Sequence, residues 1–83
     1  MKTSVEISMY PLDQSYGTPI LKFVQRLRAH EDIEVKTNTM STQLFGEYDD
    51  LMAALVREMK TSLEEEQHTA VMVLKIVNAD LRP

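Results

Sequence analysis

Hydrophobic positions change period along this chain, and each change marks an element. Val5, Ile7 and Met9 alternate with Glu6, Ser8 and Tyr10, the period of two that predicts a strand with one buried face. Pro11 ends that strand's capacity to donate ladder hydrogen bonds, and a loop is expected over Asp13–Gly17. Thr18 and Pro19 then give a helix start signal, a hydroxyl N-cap followed by proline at the first helical position. Ile20, Phe23, Val24 and Leu27 recur at i, i+3, i+4 and i+7, an apolar helical stripe. Lys22, Gln25 and Arg26 are left for solvent and Arg28 for the helix C-terminus. Period two returns over Ile33–Thr39, where Ile33, Val35, Thr37 and Thr39 share a face. A reversal near Met40–Ser41, without Asn-Gly or Asp-Gly, leads to a shorter strand over Thr42–Phe45.

Gly46 punctuates that strand, where a positive φ is expected, and Glu47, Asp49 and Asp50 place negative charge at a helix N-terminus. Tyr48, Met52, Leu55, Met59 and Leu63 step by three or four, with Leu51 and Val56 beside them, predicting a second helix from about Asp49 towards Glu64. Glu64–Glu66 is unfavourable at a helix C-terminus and is expected to fray it. Ala70–Val77 is apolar on both parities, which predicts a central strand. The order βαββαβ predicts an α+β, ferredoxin-like domain, a four-stranded antiparallel sheet with two helices on one face. The first and last strands are expected in its middle. Either Val71, Val73 and Val77 or Met72, Leu74 and Ile76 then lie on the face away from the helices. Both sets are too apolar to stay bare, so a homo-oligomer is expected.

Eighty-three residues suffice for one domain, taken as 1–83. Nine basic against thirteen acidic residues give 9 − 13 = −4, which argues against non-specific binding to nucleic acid or to an anionic membrane. The chain has no cysteine, which excludes disulfides, thiol catalysis and thiolate metal sites. Its longest apolar run, Ala70–Leu74, is far short of the ~20 residues of a membrane span. The first residues carry no signal-peptide pattern. A cytoplasmic protein is expected.

Little in the sequence carries catalysis. Two glycines form no phosphate-cradling motif. His30 is expected to be a solvated helix-end residue and His68 a loop residue; neither has a partner at metal-ligand spacing. No catalytic residue, metal or cofactor is expected. One stretch stands apart, Thr37–Gln43, with six uncharged hydrogen-bonding side chains in seven positions. As strand-edge residues they need no function, since threonine suits strands. As a cluster they suit a small polar pocket for a neutral heterocycle, with donors and acceptors but no fixed charge.

Several segments also resemble the YkoF-like thiamine/hydroxymethylpyrimidine-binding family: Ser8–Met9–Tyr10–Pro11, Thr39–Met40–Ser41–Thr42 with Gly46 before an Asp-Asp helix start, and Val71–Asn78. The resemblance implies a ferredoxin-like domain that binds thiamine or hydroxymethylpyrimidine without chemistry, acting in uptake, salvage or sensing. A single copy implies a dimer or tetramer through the sheet. By position it implies Tyr10, Thr39, Ser41 and Thr42 as ligand contacts; Thr37 and Asn38 join them on chemistry alone. The cluster has no cation after Lys36, so the neutral pyrimidine or monocationic thiamine is expected over thiamine diphosphate. Lys75 alone stands to change this, if its parity brings it to the pocket mouth. Two other readings compete: a regulatory or structural oligomerisation domain without a ligand, and a small cofactor-independent monooxygenase.

Overall fold

The alternation at Val5, Ile7 and Met9 forms the expected strand, but pairing with both neighbours extends it to β1, Lys2–Pro11. The remaining elements of this computed structural model are α1 (Gly17–Arg28), β2 (Glu34–Thr37), β3 (Thr42–Glu47), α2 (Tyr48–Glu65) and β4 (Ala70–Val77). Residues 1–12, 17–65 and 69–83 are described. Most of the expected loop at Asp13–Gly17, the capping role of the Thr18 side chain, and His68 lie outside them. The architecture is the ferredoxin-like α+β fold, with every strand pair antiparallel.

The strand order is β2-β3-β1-β4, which corrects one expectation. β1 and β3 are central, and β4 is an edge strand. Two-sided apolarity signals cover over both faces of a strand; it carries no information about lateral neighbours. Met72 and Leu74 pack on the core beneath the helices, whereas Val71, Val73 and Val77 lie exposed on the open face. That core is built from Val5, Ile7, Met9, Phe23, Leu27, Leu44, Leu51 and Leu55, so the α1 stripe is buried as its spacing predicts.

The α2 stripe is rotated from the expected one. Leu51, Ala54, Leu55, Glu58 and Ser62 face inward, while Tyr48, Val56 and Leu63 are exposed. The reason is a polar clamp between the helices. Glu58, whose side chain is only 9% exposed, lies 3.2 Å from Arg26 Nε and 2.6 Å from His30 Nε2. Arg26 also donates to Ser62 and reaches Glu65 at 3.4 Å. Arg26 and His30 are therefore clamp residues rather than solvated ones. α2 ends at Glu65, one residue from the expected end, with the Glu65 carboxylate facing Arg26 across the helix pair, and Glu66 lies outside the described residues.

Gly46 is a further correction. None of the described glycines has a positive φ. Gly46 instead faces the chain before β2, where a Cβ would stand 3.3 Å from the Asp32 carbonyl oxygen and 3.3 Å from Ile33 Cγ2. Close approach, not backbone handedness, favours glycine here.

Candidate functional site

The open face of the sheet carries alternate residues: Ser4, Glu6, Ser8 and Tyr10 from β1, Gln43 and Phe45 from β3, and Val73, Lys75 and Val77 from β4. At one end of this face the β2–β3 reversal stands up as a wall. Its organiser is Asn38, whose Oδ1 accepts hydrogen bonds from the Met40 and Ser41 amides at 2.7 and 2.8 Å. The Asn38 amide donates in turn to the Ser41 carbonyl at 3.1 Å. This is side-chain mimicry of a backbone turn, and it holds the reversal without an Asn-Gly pair.

Between this wall and β4 lies a cavity of about 400 Å³, lined by Glu6, Ser8, Tyr10, Asn38, Thr39, Met40, Ser41, Val73 and Lys75. Its size falls within the ~300–1,000 Å³ usual for small-molecule sites. Four of the expected contacts, Tyr10, Asn38, Thr39 and Ser41, meet there. Thr37 and Thr42 do not. They belong to the helix side of the hairpin, where Thr37 Oγ1 accepts from Arg28 Nη2 at 3.1 Å and Thr42 is buried. Thr37 and Thr42 are register partners at the ends of β2 and β3 and so share the helix-side face, whereas residues 38–41 form the reversal outside both strands.

Four cavity residues were not expected as contacts: Glu6, Ser8, Met40 and Val73. Lys75 is the fifth addition, brought to the mouth by strand parity, so a cation does stand at this pocket. Register pairs Glu6 with Lys75, and their charged groups approach to 3.7 Å. Glu6 Oε2 also accepts from Ser41 Oγ at 3.1 Å, and Ser8 Oγ donates to the Met40 carbonyl at 3.5 Å. The site therefore offers carboxylate and hydroxyl acceptors beside amide, ammonium and phenol donors. Pairing each segment's open-face parity across the register is the sequence signal that finds Glu6 and Ser8.

The profile of the thiamine-binding protein family matches residues 5–81. The chain belongs to the thiamine-binding protein family. Solved structures agree in fold with this family member. A hypothetical protein from Methanocaldococcus jannascii superposes with a TM-score of 0.80 at 26% identity, covering 99% of this chain and 84% of that one. A candidate thiamine biosynthesis/salvage protein from Thermotoga maritima gives a TM-score of 0.81 at 15% identity, covering 95% and 85%. A domain of unknown function from Bacillus cereus gives 0.68 at 16%, covering 98% and 79%. A comparison with curated proteins gives no match. The family supports a thiamine-related binding role, and no helix among the described residues is long and apolar enough to cross a membrane.

Proposed function

We propose that this thiamine-binding family member holds thiamine, or its hydroxymethylpyrimidine moiety, in the open-face cavity and performs no chemistry on it. The observation that carries this reading is the convergence of Tyr10, Asn38, Thr39 and Ser41 with Glu6 and Lys75 around one space. An aminopyrimidine presents an exocyclic amino donor and ring-nitrogen acceptors. Glu6 and the serine oxygens suit the donor; the Asn38 side-chain Nδ2, the Tyr10 hydroxyl and Lys75 suit the acceptors. A thiazolium charge is favoured by Glu6 and by the face of Tyr10. Glu6 also offsets Lys75, so the mouth has no surplus cation for a diphosphate. The same open face, with Val71 and Val73 bare, is the surface through which a second copy associates to give a dimer or tetramer.

Titration calorimetry with hydroxymethylpyrimidine, thiamine and thiamine diphosphate tests the reading. Binding of either of the first two more tightly than the diphosphate is expected. Absence of binding by all three, or preference for the diphosphate, overturns it.

A further inference from the structure

Phe45 and Ser4 sit on the open sheet face, yet they are only 3% and 5% exposed. The segment after β4 covers them. It turns back across the sheet, and Ser4 Oγ fastens it twice, donating to the Ala79 carbonyl at 2.7 Å and accepting from the Leu81 amide at 2.9 Å. Beyond Leu81, Arg82 clasps Asp80 at 2.6 Å and reaches Glu34 on β2 at 3.9 Å. The crossing thus runs from the β4 edge to the opposite edge strand. Beside Leu81 it borders a second, half-open cavity of about 230 Å³, whose lining includes the apolar Phe45 and Val77 and the polar Gln43. Glu6 and Lys75 line this cavity and also the larger pocket, so the ion pair is their common wall.

We propose that Ala79–Arg82 is a displaceable strap that opens and closes the cavity beside Leu81, and so sets how far a ligand in the neighbouring pocket extends along the sheet. The group it admits is an apolar or aromatic one with a polar edge, matched to the apolar Phe45 and Val77 and to the polar Gln43, Glu6 and Lys75. The fastening is light. It consists of the two Ser4 bonds and one long, exposed ion pair from Arg82 to Glu34, with no strand ladder, and Leu81 itself remains 58% exposed. Such segments open locally while the sheet stays closed. The identity of the ligand rests on the function proposed above; the motion of the strap does not.

Amide hydrogen exchange followed by NMR reads the strap directly, because the Leu81 amide is bonded to Ser4 Oγ. In the native protein Leu81 is expected to exchange faster than the β1–β3 ladder amides. Ser4→Ala removes the bond and should speed Leu81 by about fivefold or more, the worth of one ordinary hydrogen bond. Arg82→Ala, on an exposed residue that spares the sheet, should move Leu81 in the same direction and leave the ladder unchanged. Saturating thiamine should slow Leu81. The strap is refuted if Leu81 exchanges at the ladder rate, if neither variant moves it, or if thiamine binds and leaves it unchanged. If thiamine fails to bind the native protein, the proposed function falls, and the exchange contrast among native protein and variants decides the strap alone.

Discussion

Replacing Arg26 with methionine tests whether the interhelical clamp is energetically a unit. Methionine keeps most of the apolar stem and removes the guanidinium. Glu58 is then left at the α1–α2 interface with a side chain only 9% exposed and His30 as its remaining partner. Breaking a buried pair by removing one member costs about 3–5 kcal/mol. The retained histidine and the partial exposure of Arg26 reduce that to about 2 kcal/mol for Arg26→Met. For a domain of this size, about 4–8 °C of melting temperature accompanies each kcal/mol, so a fall of roughly 8–16 °C is expected. Adding Glu58→Leu removes the stranded carboxylate. The double variant should then recover to within about 1 kcal/mol of native, since apolar replacement of a buried pair is often neutral. Urea unfolding of native, single and double variants closes the cycle. A cost below about 0.5 kcal/mol for Arg26→Met, or additive losses in the double variant, would refute the clamp.

Gly46→Val should destabilise by about 1–3 kcal/mol through collision with Asp32 and Ile33, with Gly46→Ala milder, as measured by thermal unfolding; equal stability of the valine variant would contradict the close-approach argument. Val73→Lys, on a residue 50% exposed in one copy, should convert the assembly to monomers of 9.5 kDa by light scattering; a native protein that is already monomeric sinks the self-association reading. Thr39→Val and Ser41→Ala should each weaken thiamine binding by about 1 kcal/mol in calorimetry, whereas Thr37→Val, on the other side of the hairpin, should not; the reverse pattern would relocate the ligand. Arg82 holds the Asp80 carboxyl at about 2, below its ordinary 3.8, chiefly by hydrogen bonds from its side chain and then its backbone. The contribution of this depressed acid is present above about 3.8 and is lost as pH falls through about 2. An NMR titration should show the Asp80 midpoint rising towards 3.8 in Arg82→Ala without reaching it, because the residue-82 backbone amide still donates to Asp80; an unmoved midpoint would remove the clasp from the strap.

The periodic apolar pattern by itself determined the number, kind and order of the elements. Alternation at Val5, Ile7 and Met9 and the stripe at Ile20, Phe23, Val24 and Leu27 are local properties, set by the pitch of strand and helix. The hydrogen-bonding richness of Thr37–Gln43 likewise directs attention to the β2–β3 reversal, and the sequence resemblance points to the thiamine-binding family to which the chain belongs. The tertiary structure decided everything that depends on neighbours distant in sequence. Which strands are central follows from crossover geometry, so the apolar β4 lies at an edge despite its composition. Arg26 and His30 have polar side chains that local reasoning sends to solvent, and only the packing of α1 on α2 brings Glu58 to them. The boundary between reversal and strand divides the polar run: Asn38, Thr39 and Ser41 of the reversal line the open-face cavity, while the paired strand ends Thr37 and Thr42 face the helix side. Register then adds Glu6 and Lys75 from positions more than thirty residues from the run's centre. A period reveals which face a side chain takes; a charge or hydroxyl acquires its role only from the group that folding sets opposite it.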